Sequence, residues 1–335
     1  MPSSTFDIEE KRLIKEIKDR KARLVLIQLP EGLKPLGPKL AAAVEETGAI
    51  AIISADPCYG ACDLATIAAE KLGADLIVHY GHSEMLKQTA FSTVYIEAKA
   101  KTSVRNAVKK AILYLEPWKK IGLVTTIQHV HKLDEAKHML LKAGKTVALG
   151  DAGRLAHAGQ VIGCDYSNAR AVSKEVEAFL FVGGGIFHAL GVALATAKPT
   201  IVADPYEKRA FTVDDQTKIM LKKRWATIQE AKQAQKIGIL IGLKAGQKRL
   251  DQSLKMKKLV EKSGRVATLF TLGEITPEIL MQFPTIDVFI NTACPRISMD
   301  DAERFNKPVL TPNEMLVALD KLQWEELCKS GWFES

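Results

Sequence analysis

Short apolar segments alternate with helical patterns along the chain, and the same alternation occurs three times. The first third predicts strands at Leu24–Leu29, Ile50–Ser54, Leu76–His79 and Thr93–Ile96. The second third predicts strands at Ile121–Thr125, Thr146–Leu149, Phe179–Val182 and Thr200–Ala203. The last third predicts strands at Ile237–Ile241, Val266–Phe270, Val288–Asn291 and Val309–Leu310. Helices are clearest at Lys39–Glu46, Ala61–Lys71, Asp134–Ala143, Leu254–Ser263 and Glu314–Leu327. Strands that alternate with helices form parallel sheets.

The pattern predicts three pseudo-equivalent small α/β domains and argues against one large sheet. We place them at residues 1–102, 103–215 and 216–335, each with a parallel sheet. Linkers are expected near Glu97–Ser103 and Tyr206–Gln235. Hydrophobic residues make up 47% of the 335 residues and charged residues 26%, which is enough apolar surface to build a core. That composition excludes disordered and fibrous proteins.

One uncharged stretch, Ala178–Ala197, is long enough to cross a bilayer. Its glycines and central His188 instead favour a buried strand at Ala178–Val182, a turn, and a helix at Ile186–Ala197. The beginning of the chain lacks the basic and apolar pattern of a secretory signal, and predicts an amphipathic helix opened by Ser4 or Asp7. We therefore expect a cytoplasmic protein with no membrane contact.

The five cysteines are an odd number, which argues against a disulfide framework. Buried packing is the ordinary role for any one of them. Cys62, Cys164 and Cys294, however, each follow a strand of a different domain, on the side where open α/β sheets bind ligands. Their separations of about a hundred residues or more are too long for a local zinc knuckle. They suit an iron–sulfur cluster at the centre of three domains.

Three thiolates would leave one iron of a 4Fe–4S cluster free to bind another molecule, such as a substrate or S-adenosylmethionine. Radical enzymes that use this molecule usually carry a C-x3-C-x2-C motif. Cys58 and Cys62 have the first spacing, but Ala65 occupies the position of the third cysteine. The usual motif is therefore absent.

Several motifs occur together and in a fixed order. They are Gln28–Leu33 (QLPEGL), Tyr59–Asp63 (YGACD), Thr125–His131 (TTIQHVH), Gly159–Cys164 (GQVIGC), the Gly183–Gly191 segment, Asp204–Tyr206 (DPY), Lys223–Trp225 (KRW), Ala293–Arg296 (ACPR) and Pro308–Pro312 (PVLTP). Together they resemble the diphthamide-biosynthesis family, the 2-(3-amino-3-carboxypropyl)histidine synthases, in their compact archaeal form. The resemblance extends from about Gln28 to Pro312.

The resemblance implies a transferase that performs the first step of diphthamide formation on translation elongation factor 2. Such enzymes are homodimers, hold a 4Fe–4S cluster by three cysteines, and require an electron donor. They cleave S-adenosylmethionine reductively to methylthioadenosine and a 3-amino-3-carboxypropyl radical, which adds to C2 of a histidine. Carried over by motif, the cluster ligands are Cys62, Cys164 and Cys294, while Cys58 is an additional cysteine that could compete with Cys62. Cys328 is expected to be a packing residue.

Some loop residues are candidates for contact with S-adenosylmethionine or the surroundings of the cluster. They are Gln128, His129, Gly183, Gly184, Gly185, Asp204 and Arg296. The glycines could bind a carboxylate or a ribose hydroxyl, or simply form a tight turn. Asp204 could bind a ribose hydroxyl or an amine, or cap a helix, and Arg296 could bind a carboxylate or form a surface ion pair. The sequence indicates no general acid or base.

The basic excess is local. Residues 208–265 contain 16 Lys or Arg and 5 Asp or Glu, in a chain of net charge +8. This stretch is either a solvated surface or a docking surface for the elongation factor. Direct nucleic-acid binding is not expected, because interleaved aromatic residues are missing.

Two other functions compete with this interpretation. One is a three-cysteine Lewis-acid enzyme resembling quinolinate synthase, which uses no S-adenosylmethionine. The other is a binding module for nucleic acid or a translation factor, in which the cysteines hold structural zinc.

Overall fold

The computed structural model describes residues 5–85 and 91–333, and three sheets of four or five strands organise them, beside one two-stranded sheet. The first sheet contains Leu24–Gln28, Ile50–Ser54, Leu76–Tyr80 and Thr93–Ile96. The second contains Lys120–Thr125, Thr146–Ala148, Ala178–Val182, Thr200–Asp204 and Arg209–Thr212. The third contains Lys236–Gly242, Val266–Leu272, Val288–Asn291 and Val309–Leu310. All the predicted strands are present, and the α/β fold class is confirmed.

The three sheets share one strand order. In each, the first strand pairs with the second on one side and with the third on the other, and the fourth pairs with the third, all in parallel. Successive strands are therefore added first on one side of the first strand and then on the other, so the strand order reverses between the first and third strands of every sheet. Loops that leave the carboxyl ends of these two strands diverge and open a crevice, the usual ligand site of such sheets.

An acidic residue occupies the same position in all three sheets. Asp75, Glu177 and Asp287 each come just before a third strand and accept two backbone N–H groups at the start of the first strand. The six distances are 2.7–2.9 Å. These backbone hydrogen bonds hold the pKa of all three carboxyl groups below the usual range. The repeat, which the sequence analysis did not identify, ties two adjacent strands at their amino ends.

The helices lie between the strands. Their bounds are Glu10–Arg20, Gly37–Glu45, Thr66–Leu72, Arg105–Tyr114, Leu133–Lys142, Ser167–Val172, Phe187–Thr196, Asp214–Ala231, Leu250–Lys262, Pro277–Leu280, Pro295–Met299, Pro312–Ala318 and Trp324–Glu326. Short 3-10 turns occupy Glu31–Leu36, Ile127–Lys132 and Ala302–Arg304, and a π turn occupies Leu327–Gly331.

Three predicted helices differ from the structure. The first begins at Glu10, because Phe6–Asp7 instead pairs with Lys99–Ala100 as a short strand, and Ser4 lies outside the described residues. The helix predicted from Ala61 begins at Thr66, because the residues before it form the loop that carries Cys62. The last predicted helix ends at Ala318, and Asp320 adopts a positive φ of 55° that no helix continues through.

The segment predicted as a linker, Tyr206–Gln235, is largely ordered structure. Arg209–Thr212 adds an antiparallel strand to the second sheet, and helix Asp214–Ala231 follows it. Arg224 on this helix is buried and forms a bidentate ion pair with Glu314, at 2.6 and 2.8 Å. A buried ion pair therefore fixes this helix to the last third of the chain, and the place of the linker stays a prediction. The boundaries of the three domains stay a prediction.

The uncharged stretch from residue 178 to 197 is divided as predicted, into strand Ala178–Val182 and helix Phe187–Thr196. In the described ranges, no helix combines the length and the apolar character needed to cross a bilayer.

Candidate functional site

One cavity of about 460 Å³ brings together the three cysteines that the sequence singled out. Cys62, Cys164 and Cys294 all line it, and each comes from a different third of the chain. All three are free thiols. The structure therefore assembles, from loops far apart in sequence, a set of three soft metal ligands facing one space.

The spacing of the three sulfurs is wider than a mononuclear metal requires. Ligand sulfurs of a tetrahedral zinc ion lie about 3.8 Å apart, as Zn–S bonds of about 2.3 Å dictate. In the described part of the chain the three cysteine sulfurs do not all lie within 4.8 Å of one another. A multinuclear cluster, in which each thiolate binds a different metal atom, fits this spacing better.

Burial keeps the metal-free thiols protonated. Burial, together with the nearby Cys62, raises the pKa of Cys164 to about 12 and that of Cys294 to about 11. Burial also raises the pKa of Cys62, although a hydrogen bond from Gln247 opposes this. Three thiolates could not coexist here without a cation, because their negative charges repel one another in a buried space.

Residues of the third sheet's first loop hold Cys62 in place. The N–H of Gly246 donates to the Cys62 carbonyl at 2.7 Å, and Gln247 Nε2 donates to Cys62 Sγ at 3.4 Å. A Cβ on Gly246 would lie 2.6 Å from Cys62 Cα, so only glycine permits this approach. The loop after Lys236–Gly242 thus positions a cavity cysteine from the first third of the chain.

Lys244 reinforces the same junction. Its ammonium group contacts the carboxylates of Asp63 and Glu274, both at 2.6 Å, and Tyr59 donates its hydroxyl to Glu274 at 3.2 Å. Burial alone would lower the pKa of Lys244, but its hydrogen bonds to the two carboxylates raise it instead. Lys244 therefore stays charged and links the Cys62 loop to the third sheet.

Arg296 lies in the wall of the cavity beside Cys294. Its guanidinium stacks on the Phe187 ring at 3.7 Å from the ring centre, and Nη2 donates to the Phe187 carbonyl and to Asp300. Its Nη1 is buried, with no hydrogen-bond partner among the described residues. Arg296 thus lines the cavity and carries one buried donor without a partner, and guanidinium groups commonly bind carboxylates.

Gln128 and His129 follow the first strand of the second sheet but lie in two different environments. Gln128 lines the cavity and donates to the Gly81 carbonyl at 2.8 Å. His129 is buried outside the described cavity lining, edge-on to Tyr206 at 5.3 Å. Burial lowers the pKa of His129 to about 4, so this ring is neutral.

Asp204 and the three glycines also lie outside the lining, as far as the described residues go. Both carboxylate oxygens of Asp204 accept backbone N–H groups, from Gly185 at 3.1 Å, Tyr206 at 2.9 Å and Glu207 at 3.2 Å. Gly183 donates to Ala203 at 3.0 Å. These contacts support a turn fixed by Asp204, so ligand contact by Gly183, Gly184, Gly185 or Asp204 stays a prediction.

The other two cysteines differ from the cavity set. Cys58 is absent from the described lining and instead lies with His79 and His82. Cys328 is partly buried against the core near Trp332, in keeping with the expected packing role.

The sequence analysis missed several residues of the site. Lys244 and Gln247 follow the first strand of the third sheet, just as Gln128 follows the first strand of the second. Gln128 was selected because it lies in a loop after the carboxyl end of a strand, and the same criterion selects Lys244 and Gln247. His82, Phe187 and His188 also line the cavity, but apart from their place after a strand no local pattern marks them.

The fold has three α/β sheets, and one cysteine from each third of the chain lines a common cavity. These features define a class of proteins that bind a metal cluster between such sheets. The family model described as "Putative diphthamide synthesis protein" matches residues 29–328, and the chain belongs to this family. The resemblance and the enzyme class predicted from the sequence are confirmed.

Named relatives match over nearly the whole chain. The 2-(3-amino-3-carboxypropyl)histidine synthase of Pyrococcus horikoshii is 38% identical over 93% of this chain and 90% of its own length. Subunit 1 of the human enzyme is 31% identical over 96% of this chain and 74% of its own. The crystal structure of Dph2 from Pyrococcus horikoshii with a 4Fe–4S cluster superposes with a TM-score of 0.89, at 37% identity, covering 98% and 96% of the two chains.

Proposed function

We propose that this chain performs the first step of diphthamide biosynthesis. It transfers the 3-amino-3-carboxypropyl group of S-adenosylmethionine to C2 of a histidine on translation elongation factor 2. The observation that carries the proposal is the convergence of Cys62, Cys164 and Cys294 on one cavity. The crystal structure of Dph2 from Pyrococcus horikoshii, which has the same fold and contains a 4Fe–4S cluster, supports the proposal.

Cys62, Cys164 and Cys294 would hold a 4Fe–4S cluster, since each offers one thiol ligand to the same cavity and thiolates are the usual ligands of such clusters. The cluster, when bound, supplies an electron for cleavage of the bond between sulfur and the γ-carbon of S-adenosylmethionine, giving methylthioadenosine and a 3-amino-3-carboxypropyl radical. The chain contributes position and environment. Gln247 orients the sulfur of Cys62, and Lys244 fixes its loop against the third sheet.

Arg296 would anchor the methionine end of S-adenosylmethionine. Its unpartnered Nη1 is suited to the carboxylate, while stacking on Phe187 and the ion pair with Asp300 fix the plane of the guanidinium. Which carbon lies nearest the reacting sulfur depends on such anchoring, so Arg296 would decide which bond breaks. Gln128 lines the same cavity and is a second candidate for contact with this molecule.

The partners of the reaction belong to the same proposal. The elongation factor would bring its histidine to the cavity, an electron donor would reduce the site, and two copies of the chain would form a homodimer. Exposed lysines of the basic 208–265 stretch would contact the elongation factor. Not all of this charge is free, because Arg224 pairs with Glu314 and Lys244 belongs to the cysteine site.

The test is an anaerobic assay of the reconstituted, dithionite-reduced protein with S-adenosylmethionine, read by mass spectrometry of the nucleoside product. Methylthioadenosine supports the proposal before any protein substrate is added. 5′-Deoxyadenosine overturns the bond assignment. A brown protein that cleaves nothing supports the Lewis-acid alternative, and a colourless protein with structural zinc supports the binding module.

A further inference from the structure

Cys58, His79 and His82 bring three metal-ligating side chains together at the edge of the cysteine cavity, whose described lining includes His82. One ligand atom from each lies within 4.8 Å of the others, and no other set of three cysteines, histidines or carboxylates in the described residues is this close. Cys58 and His79 are buried, with 3% and 0% of their surface exposed. A buried set of one sulfur and two imidazoles has the composition of a metal site.

Gln28 fixes the proton of His79. Its Nε2 donates to the Asp63 carbonyl at 2.6 Å, so its Oε1 accepts from the Ala65 N–H at 3.1 Å and from His79 Nδ1 at 2.9 Å. His79 must therefore carry its proton on Nδ1 and a lone pair on Nε2. A histidine whose second nitrogen donates to a fixed acceptor is held in the tautomer that binds metal.

The lone pair of His79 points at His82. His79 Nε2 lies 2.9 Å from His82 Nδ1, and the two ring centres are 5.1 Å apart. Without a metal, the single proton between the rings belongs to His82 Nδ1. A cation bound between the two nitrogens would take the place of this proton.

The topology of the first sheet explains the convergence. Cys58 follows the second strand, Gln28 ends the first, and His79 and His82 end and follow the third. The first strand lies between the other two. The set therefore occupies the carboxyl edge of the sheet, at the point where the strand order reverses and ligands usually bind.

We propose that Cys58, His79 and His82 bind one divalent cation of the borderline class, Zn²⁺ or Fe²⁺. Thiolate and imidazole select these ions over Mg²⁺ or Ca²⁺. Bonds of about 2.0–2.3 Å place tetrahedral ligand atoms about 3.3–3.8 Å apart, so side-chain movements close the set around the ion. Glu31 holds the Cys58 backbone in place, because its carboxylate accepts the Cys58 N–H at 3.3 Å.

This site adjoins the three-cysteine cavity, because His82 belongs both to the set and to the described lining of the cavity. A Cβ on Gly60 would lie 3.8 Å from His82 Nε2 and 3.9 Å from Cys62 Sγ, so the two sets approach each other beside Gly60. A cation held by Cys58 would fix the loop that presents Cys62.

The first experiment measures zinc, iron and acid-labile sulfide in the reconstituted full-length protein. We expect one divalent cation per chain beyond the iron that matches the sulfide. Cys58→Ser should lose this cation and keep the sulfide, and Cys328→Ala is the matched cysteine control. Loss of sulfide with the cation in Cys58→Ser would place Cys58 among the cluster ligands and overturn the proposal, as would absence of the extra cation.

The second experiment titrates Co²⁺ into the full-length Cys62→Ala, Cys164→Ala, Cys294→Ala triple variant, which cannot bind ions through those thiols. One Co²⁺ per chain with thiolate charge-transfer absorption is expected. Adding Cys58→His should keep the ion and abolish that absorption, whereas adding His79→Ala should weaken binding at least tenfold. His138→Gln, on the exposed face of helix Leu133–Lys142, is the histidine control. Absorption that persists in Cys58→His contradicts the site.

Discussion

Gln247 donates its side-chain amide to the sulfur of Cys62 at 3.4 Å, across 185 positions of sequence. The contact joins the last third of the chain to a cysteine of the first third. Gly246, one residue earlier, donates its N–H to the carbonyl of the same cysteine. The geometry of the cysteine site therefore depends on how the first and third sheets pack together.

Replacing Gln247 by leucine should shift the reduction potential of the bound cluster. Hydrogen bonds to ligand sulfurs stabilise the reduced, more negative state, so their loss lowers the potential. A hydrogen bond of about 1 kcal/mol corresponds to about 40 mV for one electron. Potentiometric titration of wild type, Gln247→Leu and the exposed control Gln216→Leu measures the shift in reduction potential. An unchanged potential in Gln247→Leu would show that this contact is absent in the loaded protein.

Each cavity cysteine should be required for iron. Cys62→Ala, Cys164→Ala and Cys294→Ala should each lose most of the cluster iron, because two thiolates do not retain the cluster. Cys58→Ala and Cys328→Ala should keep it, since neither lines the described cavity. Iron and sulfide analysis after anaerobic reconstitution decides the matter. Retention in Cys62→Ala together with loss in Cys58→Ala would reverse our assignment of the first ligand.

Arg296→Lys should raise the KM for S-adenosylmethionine in the uncoupled cleavage assay by about 10- to 100-fold, with a smaller effect on kcat. Lysine keeps the charge but loses the planar fork that stacks on Phe187 and reaches Asp300. Arg304→Lys is the control, because Arg304 forms a more exposed ion pair with Asp301. A KM equal to that of wild type would exclude Arg296 as the carboxylate anchor.

Stability should fall in acid partly through His129. Burial lowers its pKa from 6.5 to about 4 in the folded chain, so the unfolded chain binds the extra proton between these values. Its contribution is complete above pH 6.5 and is lost as pH falls toward 4, at up to about 1.4 kcal/mol per pH unit. When the free energy of unfolding is measured by denaturant across this pH range, it should fall less steeply with decreasing pH for His129→Gln than for wild type. His138→Gln should keep the wild-type slope, and equal slopes for wild type and His129→Gln would contradict the prediction.

Charge reversal at Lys222, Lys255 and Lys258 should slow modification of the elongation factor and leave uncoupled cleavage of S-adenosylmethionine unchanged. All three side chains are exposed in the basic stretch. The effect should shrink at high salt, because exposed charges are screened. Reversal of Lys109 and Lys110, which are exposed on a different helix, is the matched control. Full modification by the triple reversal at low salt would remove the docking role.

Much of the architecture follows from local pattern. Alternating apolar segments and turn residues located every parallel strand of the three sheets, because strand formation depends on periodicity that neighbouring residues carry. The order of motifs around Cys62, Cys164 and Cys294 identified the family. Those cysteines could be placed at ligand-binding edges because parallel sheets expose the loops after their strands.

Only the tertiary structure decided which side chains lie together in each site. Cys58 and Cys62 are four residues apart, yet Cys58 joins His79 and His82 while Cys62 lines the cavity. Asp204, an expected ligand contact, is occupied by backbone N–H groups. Side-chain direction in a loop depends on packing between distant segments. No local pattern records that packing, and so the sequence determined the sheets and the cysteine set while tertiary packing decided their surroundings.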